Sequence, residues 1–382
     1  MKPQALRTKA TYFNVQQKSI LDMKIDIIAG ARPNFMKIAP IIHAIQGNPA
    51  SGIQFRLIHT GQHFDQNMSG SFFEQLQIPE PNVNLGAGGG TQAEQTAAIM
   101  VGYEQLLQTE SSDLCLVVGD VTSTMACSIV AKKMNIKVAH VEAGIRSNDL
   151  TMPEEINRMV TDAITDYFFT TSAVANANLI KNGVSESAIF FVGNTMIDTL
   201  LKQQPNFIAP SIFSELKLVP KEYFVLTLHR PANVDEKDNL KMLIQEIVLN
   251  SNSLPILFPV HPRTAKILND LGIEHDNLHY VSPLGYLEFN YLVQNAKAVI
   301  TDSGGITEET TVMGIPCLTL RDNTERPETV SIGTNELVGT NPKNIAPYMQ
   351  RLHKNEWKKG GIPELWDGKT AERIVTILSS FN

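Results

Sequence analysis

Two short apolar runs, Leu114–Val118 and Ile136–Val141, flank a helical pattern over Thr122–Asn135, and this unit constrains the chain more than any other stretch. Continuous apolar runs joined by a crossover helix are the signature of parallel strands buried on both faces. Each run ends in an acid, Asp120 after the first and Glu142 after the second. Glu154 and Glu155 then follow Pro153, where Pro marks a helix N-terminus. Open α/β sheets bind ligands at the carboxyl ends of their strands, so these acids converge on one crevice suited to proton chemistry. Plainer duties are available to some of them. Asp120 could cap the next helix, and Glu154 and Glu155 could favour the dipole of theirs. Glu142, between an apolar strand and Ala143-Gly144, has no capping duty to perform.

The same alternation runs along the whole chain. Strands are expected at Lys24–Ala29, Phe55–His59, Tyr167–Thr170 and Ile189–Val192 in the first half. In the second half they are expected at Tyr223–Leu228, Pro255–Val260, Ala298–Thr301 and Cys317–Leu320. At 382 residues the chain exceeds one ordinary core and reads as two α/β domains with parallel sheets facing a central cleft. The expected division is a disordered extension over 1–22, a first domain over 23–203, a second over 204–366, and a C-terminal segment over 367–382. The last of these carries a helix crossing back to the first domain. Pro205, Pro210 and Pro220 surround the unpatterned stretch that reads as the hinge.

Charge and cysteine content narrow the partners. A net charge of −7 argues against nucleic acid, though not against a local basic pocket for a small anion. Cys115, Cys127 and Cys317 lie in apolar segments without metal-ligand spacing and read as buried thiols of a cytoplasmic protein. No apolar run is long enough for a membrane span.

Cations gather at other strand ends. Lys24–Ala29 runs into Gly30-Ala31-Arg32-Pro33-Asn34 and then a helix, a turn that suits an anion, with Arg32 and Lys37 to neutralise it. It lacks the Gly-x-Gly-x-x-Gly pattern, so no tightly bound NAD is expected and no cofactor is called for. In the second half His229, Arg230, His261, Arg263 and Arg326 cluster by motif with Ser303-Gly304-Gly305, whose amides would open a helix. That is the chemistry of a diphosphate cradle. Glu309, one turn further, is placed to accept from ribose hydroxyls.

The motifs GARPNFMK, GDVTST, HVEAGIRS, PEEINR, LHRPANVD, VHPRT, TDSGGITEE and TERPE together resemble the non-hydrolysing UDP-N-acetylglucosamine 2-epimerases, in order and from Met23 onward. The resemblance implies a glycosyltransferase-B type fold, a cofactor-free and metal-free isomerase, a UDP-sugar substrate and a homodimer in the cytoplasm. Carried over by motif, Asp120, Glu142 and Glu154 would be the catalytic acids. Arg32 and Lys37 would approach the phosphates, and His229 and Arg326 would stabilise the diphosphate leaving group. Ser303, Gly304, Gly305 and Glu309 would hold UDP, with Phe289 close to the nucleotide.

The chemistry agrees with that resemblance. The hydrogen on C2 of the sugar becomes acidic only as the anomeric bond to UDP stretches. Cations at the diphosphate and an acid–base pair at C2 are therefore both required. Members regulated by their substrate carry a Gln-His-x-x-Gln-type element where this chain has Gln62-His63-Phe64-Asp65, a departure at the last position. Enzymes acting on UDP-2,3-diacetamido-2,3-dideoxyglucuronate share most of the motifs. A glycosyltransferase and a non-catalytic sugar-nucleotide sensor are the alternatives on the same fold.

Overall fold

The computed structural model describes residues 23–61, 73–260, 266–268 and 271–381, and the backbone alone at Arg32, Pro231 and Ala232. The expected extension over 1–22, the Gln62–Asp65 element, and His261 and Arg263 lie outside the described residues.

Thirteen described strands form two sheets, and every pairing within them is parallel. The first sheet has the order β3-β2-β1-β4-β5-β6-β7, with β1 Met23–Ala29, β2 Ile53–His59, β3 Val83–Asn84, β4 Leu114–Val118, β5 Lys137–Val141, β6 Tyr167–Thr170 and β7 Ile189–Phe191. The second has the order β10-β9-β8-β11-β12-β13, with β8 Phe224–Thr227, β9 Ile256–Pro259, β10 Leu278–Val281, β11 Ala298–Thr301, β12 Cys317–Thr319 and β13 Asn335–Leu337. Three of these strands, β3, β10 and β13, escape the apolar-run pattern. Each is two to four residues long, only partly buried, and pairs on one side at a sheet edge.

Each sheet carries apolar side chains on both faces, as parallel sheets must. Ile25, Ile27 and Leu116 pack under the helix Arg32–Gly47, while Ile28, Cys115 and Val117 pack on the other face with Tyr103 and Val130. In the second sheet Phe224, Leu226 and Ile300 face one cluster, and Val225, Leu257 and Val299 face another.

The order in which strands are added reverses between β1 and β4 in the first sheet and between β8 and β11 in the second. Such switch points open a crevice, because the connections on either side of it depart to opposite faces. The Gly30-Ala31 turn, which leads into the helix bearing Lys37, and the Gly119-Asp120 turn flank the first crevice. His229-Arg230 and Asp302–Gly305 flank the second. Both crevices border the same cavity between the domains.

The C-terminal helix Thr370–Ser379 packs on the first domain. Ala371, Ile374, Val375 and Leu378 join the cluster of Ile38, Ile41 and Ile42. Asp198 accepts the backbone N–H groups of Thr370 (3.1 Å) and Ala371 (2.8 Å), satisfying two donors that a helix start would otherwise leave open. Just before it, buried Trp366 donates its indole N–H to Thr171 O at 3.0 Å. The helix Thr195–Gln203 touches both domains, through the Arg32–Gly47 helix on one side and Gly304–Met313 on the other.

Candidate active site

A cavity of about 460 Å³ lies between the domains. From the first domain it is lined by Lys37, Asp120, Glu154 and Arg158, and from the second by His229, Arg230, Phe289, Ser303–Gly305, Glu308, Glu309 and Arg326, among others. The sequence-derived residues Lys37, Asp120, Glu154, His229, Phe289, Ser303, Gly304, Gly305, Glu309 and Arg326 thus share one space. Arg32 sits on the adjoining helix turn, with its side chain outside the described residues.

Glu142 is placed differently from the expectation of three acids facing one crevice. It is 5% exposed and lies behind the cavity wall, where its carboxylate meets Lys37 Nζ and the Arg326 guanidinium. Its backbone has φ +75°, a left-handed conformation that non-glycine residues seldom hold outside functional turns. Gly119, on the neighbouring strand end, is left-handed too, with φ +66°, and a Cβ there would lie 2.9 Å from Lys37 Nζ. A side chain at this left-handed position would be strained and would crowd the Lys37 ammonium beside Glu142.

The strand-to-helix turn before Lys37 is held from within. Asn34, 1% exposed, accepts the Gly30 and Ala31 amides at 3.0 Å each and donates to Val118 O at 3.2 Å. A Cβ at Gly30 would meet Ser123 Oγ at 2.3 Å, so the close approach of this turn to the next helix requires glycine.

Asp120 does not cap the following helix, whose N-cap position is Val121. Its carboxylate instead pairs with Arg158 Nη1 at 2.5 Å, and Asn157 Nδ2 donates to its carbonyl at 2.8 Å. Neighbouring residues on a helix point apart, and the Pro-Glu-Glu pair divides its duties accordingly. Glu154 is exposed to the cavity. Glu155, 1% exposed, accepts from the Ser147 and Asn148 amides at 3.0 Å and pairs with Arg158 at 2.7 Å. Burial opposes its charge, yet these amides and Arg158 hold the Glu155 carboxyl below its ordinary value.

In the second domain Asp302, fully buried, organises the β8 strand end. It accepts from His229 Nδ1 at 2.7 Å, from the Arg230 amide at 2.9 Å and from Asn233 Nδ2 at 3.0 Å. Burial pushes against its ionisation, but these donors keep the carboxyl below its usual range. His229, 60% exposed at its side chain, borders the cavity with its Nδ1 edge anchored away from it. The helix Gly304–Met313 begins beside the cavity with no side-chain cap. Such a start is an anion site. Ser303 N is already committed to Thr301 Oγ1 at 3.0 Å, so the cradle rests on the glycine amides.

The next turn of that helix holds two buried acids. Glu309 accepts from Tyr286 OH at 2.8 Å, and burial pushes its carboxyl up to about 7. Glu308 meets Arg326 Nε, and burial pushes it up to about 8, against the opposing charge of Lys37. Burial likewise lowers Lys37, against the pull of Asp120, and lowers Arg326. The result is a chain of contacts Lys37–Glu142–Arg326–Glu308 spanning the two domains.

Sequence reading passed over Arg158, Asp302, Glu308 and Tyr286. Asp302 ends a strand as Asp120 and Glu142 do, and that rule would have found it. Arg158 lies four residues after Glu154 and shares its helix face. Tyr286 and Glu308 carry no local signal.

The arrangement can bind a dianionic group against Lys37, Arg326 and the helix start, with carboxylates at Asp120 and Glu154 beside the space left for a neutral moiety. Among the described residues no helix is long and apolar enough to cross a membrane. The family model for UDP-N-acetylglucosamine 2-epimerase matches residues 44–379. The UDP-N-acetylglucosamine 2-epimerase of Methanocaldococcus jannaschii is 41% identical across 94% of this chain and 99% of that protein. Its crystal structure in complex with UDP-GlcNAc and UDP superposes with a TM-score of 0.83, covering 94% of this chain and 100% of that one. The UDP-2,3-diacetamido-2,3-dideoxy-D-glucuronate 2-epimerase of Pseudomonas aeruginosa is 40% identical across 83% of this chain and 88% of its own length.

Proposed function

The chain belongs to the UDP-N-acetylglucosamine 2-epimerase family, and from that premise we propose that it inverts C2 of UDP-N-acetylglucosamine to give UDP-N-acetylmannosamine. The observation that carries the reading is the shared cavity, which brings Lys37, Arg326 and an uncapped helix start together with the carboxylates of Asp120 and Glu154.

The diphosphate lies against Lys37, Arg326, His229 and the Gly304-Gly305 amides. Phe289 and Glu309 take the nucleoside, Glu309 by accepting from ribose hydroxyls once ionised. The anomeric C–O bond breaks with its electron pair leaving on UDP, and the cations neutralise that developing charge. A carboxylate among Asp120, Glu142 and Glu154 removes the C2 proton, giving a glycal. A proton then returns to C2 on the opposite face, and UDP re-adds at C1. Atoms and charge balance with no oxidant. Diphosphate binding draws Lys37 and Arg326 from Glu142, which leaves that carboxylate basic where the sugar sits.

One feature supports an epimerase over a transferase or a sensor: two carboxylates, Asp120 and Glu154, line the cavity from the first domain, with Glu142 directly behind its wall. The test is incubation with UDP-N-acetylglucosamine in deuterated water. Deuterium at C2 together with the manno product is expected. Acceptor-dependent UDP release without exchange would favour transfer, and binding without turnover a sensor. The diacetamido sugar nucleotide, run in parallel, reads the substrate preference directly.

A further inference from the structure

The two turns that carry Asp120 and Glu142 are joined beneath the cavity by a pair the chemistry above does not use. His140, on β5 and 0% exposed, places Nδ1 2.8 Å from Asp162 Oδ1 and Nε2 2.8 Å from the Gly119 carbonyl. Asp162 also accepts the Gly144 amide at 3.1 Å and pairs with Arg146 at 2.6 Å. Gly119 precedes Asp120, and Gly144 closes the turn that begins at Glu142. We propose that His140 and Asp162 are positioning residues, which hold the Asp120 and Glu142 turns in one register.

The helix Pro153–Ile164 makes the register a single unit. Glu154, Arg158 and Asp162 recur every four residues and share one face, as that spacing dictates. Glu154 meets the cavity, Arg158 grips the Asp120 carboxylate, and Asp162 bonds the Glu142 turn directly at Gly144 and the Asp120 turn through His140. Asn157 adds a bond to the Asp120 carbonyl. Both partners of the His140 ring, Asp162 Oδ1 and the Gly119 carbonyl, are groups that accept, so the geometry offers each ring nitrogen a place to donate. Burial resists the ionisation of Asp162, yet His140 and Arg146 hold its carboxyl below the ordinary value. A side chain locked by buried bonds at each end tolerates little displacement. An acid that moves a proton loses rate steeply when displaced, because proton transfer needs hydrogen-bond reach.

The proposal rests on the epimerase reading, and its test separates the two. In wild-type protein labelled with 15N-histidine, one ring is expected to show both nitrogens protonated and slow to exchange, and the signal is assigned to His140 by its loss in His140→Gln. His140→Gln and Asp162→Asn are expected to lower kcat by about 10²-fold, the cost of shifting a reacting group by ~1 Å, with KM and the affinity for UDP unchanged. Should one variant fail to fold, the other is judged by the same criteria. Equal loss of kcat and UDP affinity would mean a merely structural role and overturn the proposal, as would wild-type kcat or a ring with one bare nitrogen. The ring signature and UDP titration need no turnover, while C2 exchange by the wild type judges the epimerase reading alone.

Discussion

Arg326 of the second domain forms an ion pair with Glu142 of the first, and that contact ties the two domains together at a candidate catalytic acid. Glu142 is nearly buried, and Lys37 approaches its other oxygen. A buried carboxylate between two cations is well compensated, and removing one partner from such a group typically costs about 3–5 kcal/mol. The two cations are neutralised from within the chain, and under the proposed function a diphosphate competes with Glu142 for them.

Glu142→Gln is expected to lower turnover by ~10²–10⁴-fold, the worth of general acid–base assistance. UDP affinity is expected to rise, since Lys37 and Arg326 lose their internal competitor. Calorimetric titration beside a turnover assay checks both at once. Weaker UDP binding in this variant would contradict that competition.

Arg326→Lys keeps the charge and loses the fork that spans Glu142 and Glu308. Turnover should fall by about 10²–10³-fold, as for the loss of one oriented donor at a developing charge. Steady-state kinetics with UDP-N-acetylglucosamine decides it. A variant with parental kcat would show that a point charge is enough.

Glu309 carries a pH dependence of determined sign. Its folded value, about 7, lies above the ordinary 4.5 because burial disfavours the charged form. The folded state therefore binds this proton more tightly than the unfolded state does. Its contribution is full below the unfolded value and is lost as pH rises toward the folded one. Melting curves of Glu309→Gln and the parent should converge in acid, with the variant gaining relative stability up to neutrality. UDP affinity of the parent should increase over the same window, if the ionised carboxylate accepts from ribose. A pH-independent difference between the two proteins would remove both claims.

Trp366→Ala empties a fully buried indole site between Ile197, Leu200 and the Thr171 carbonyl. Large-to-small changes of this kind cost about 3–5 kcal/mol. A lower denaturation midpoint is expected, along with faster proteolysis of the segment leading to Thr370. An unchanged midpoint would show that the C-terminal helix is held by its own apolar face alone.

The sequence by itself determined the two parallel sheets, the strand-end placement of Asp120, Glu142 and His229, the place of Lys37 in the first helix, and that of Ser303–Gly305 at a helix start. Those features follow from local rules: apolar runs of strand length, helical spacing, and glycine where the backbone turns tightly. Edge strands such as β3 and β13 escaped because a short strand paired on one side needs no apolar run. Only the tertiary structure decided that Glu142 faces Arg326 and Lys37 rather than open solvent, that Arg158 serves Asp120, and that Glu155 is spent on the Ser147 and Asn148 amides. It also decided that His140 and Asp162 bind two acid-bearing turns together. The reason is physical. Local pattern says that a group will be buried, but a buried charge takes its partner from whichever distant element the fold brings within reach, and spacing along the chain holds no record of that meeting.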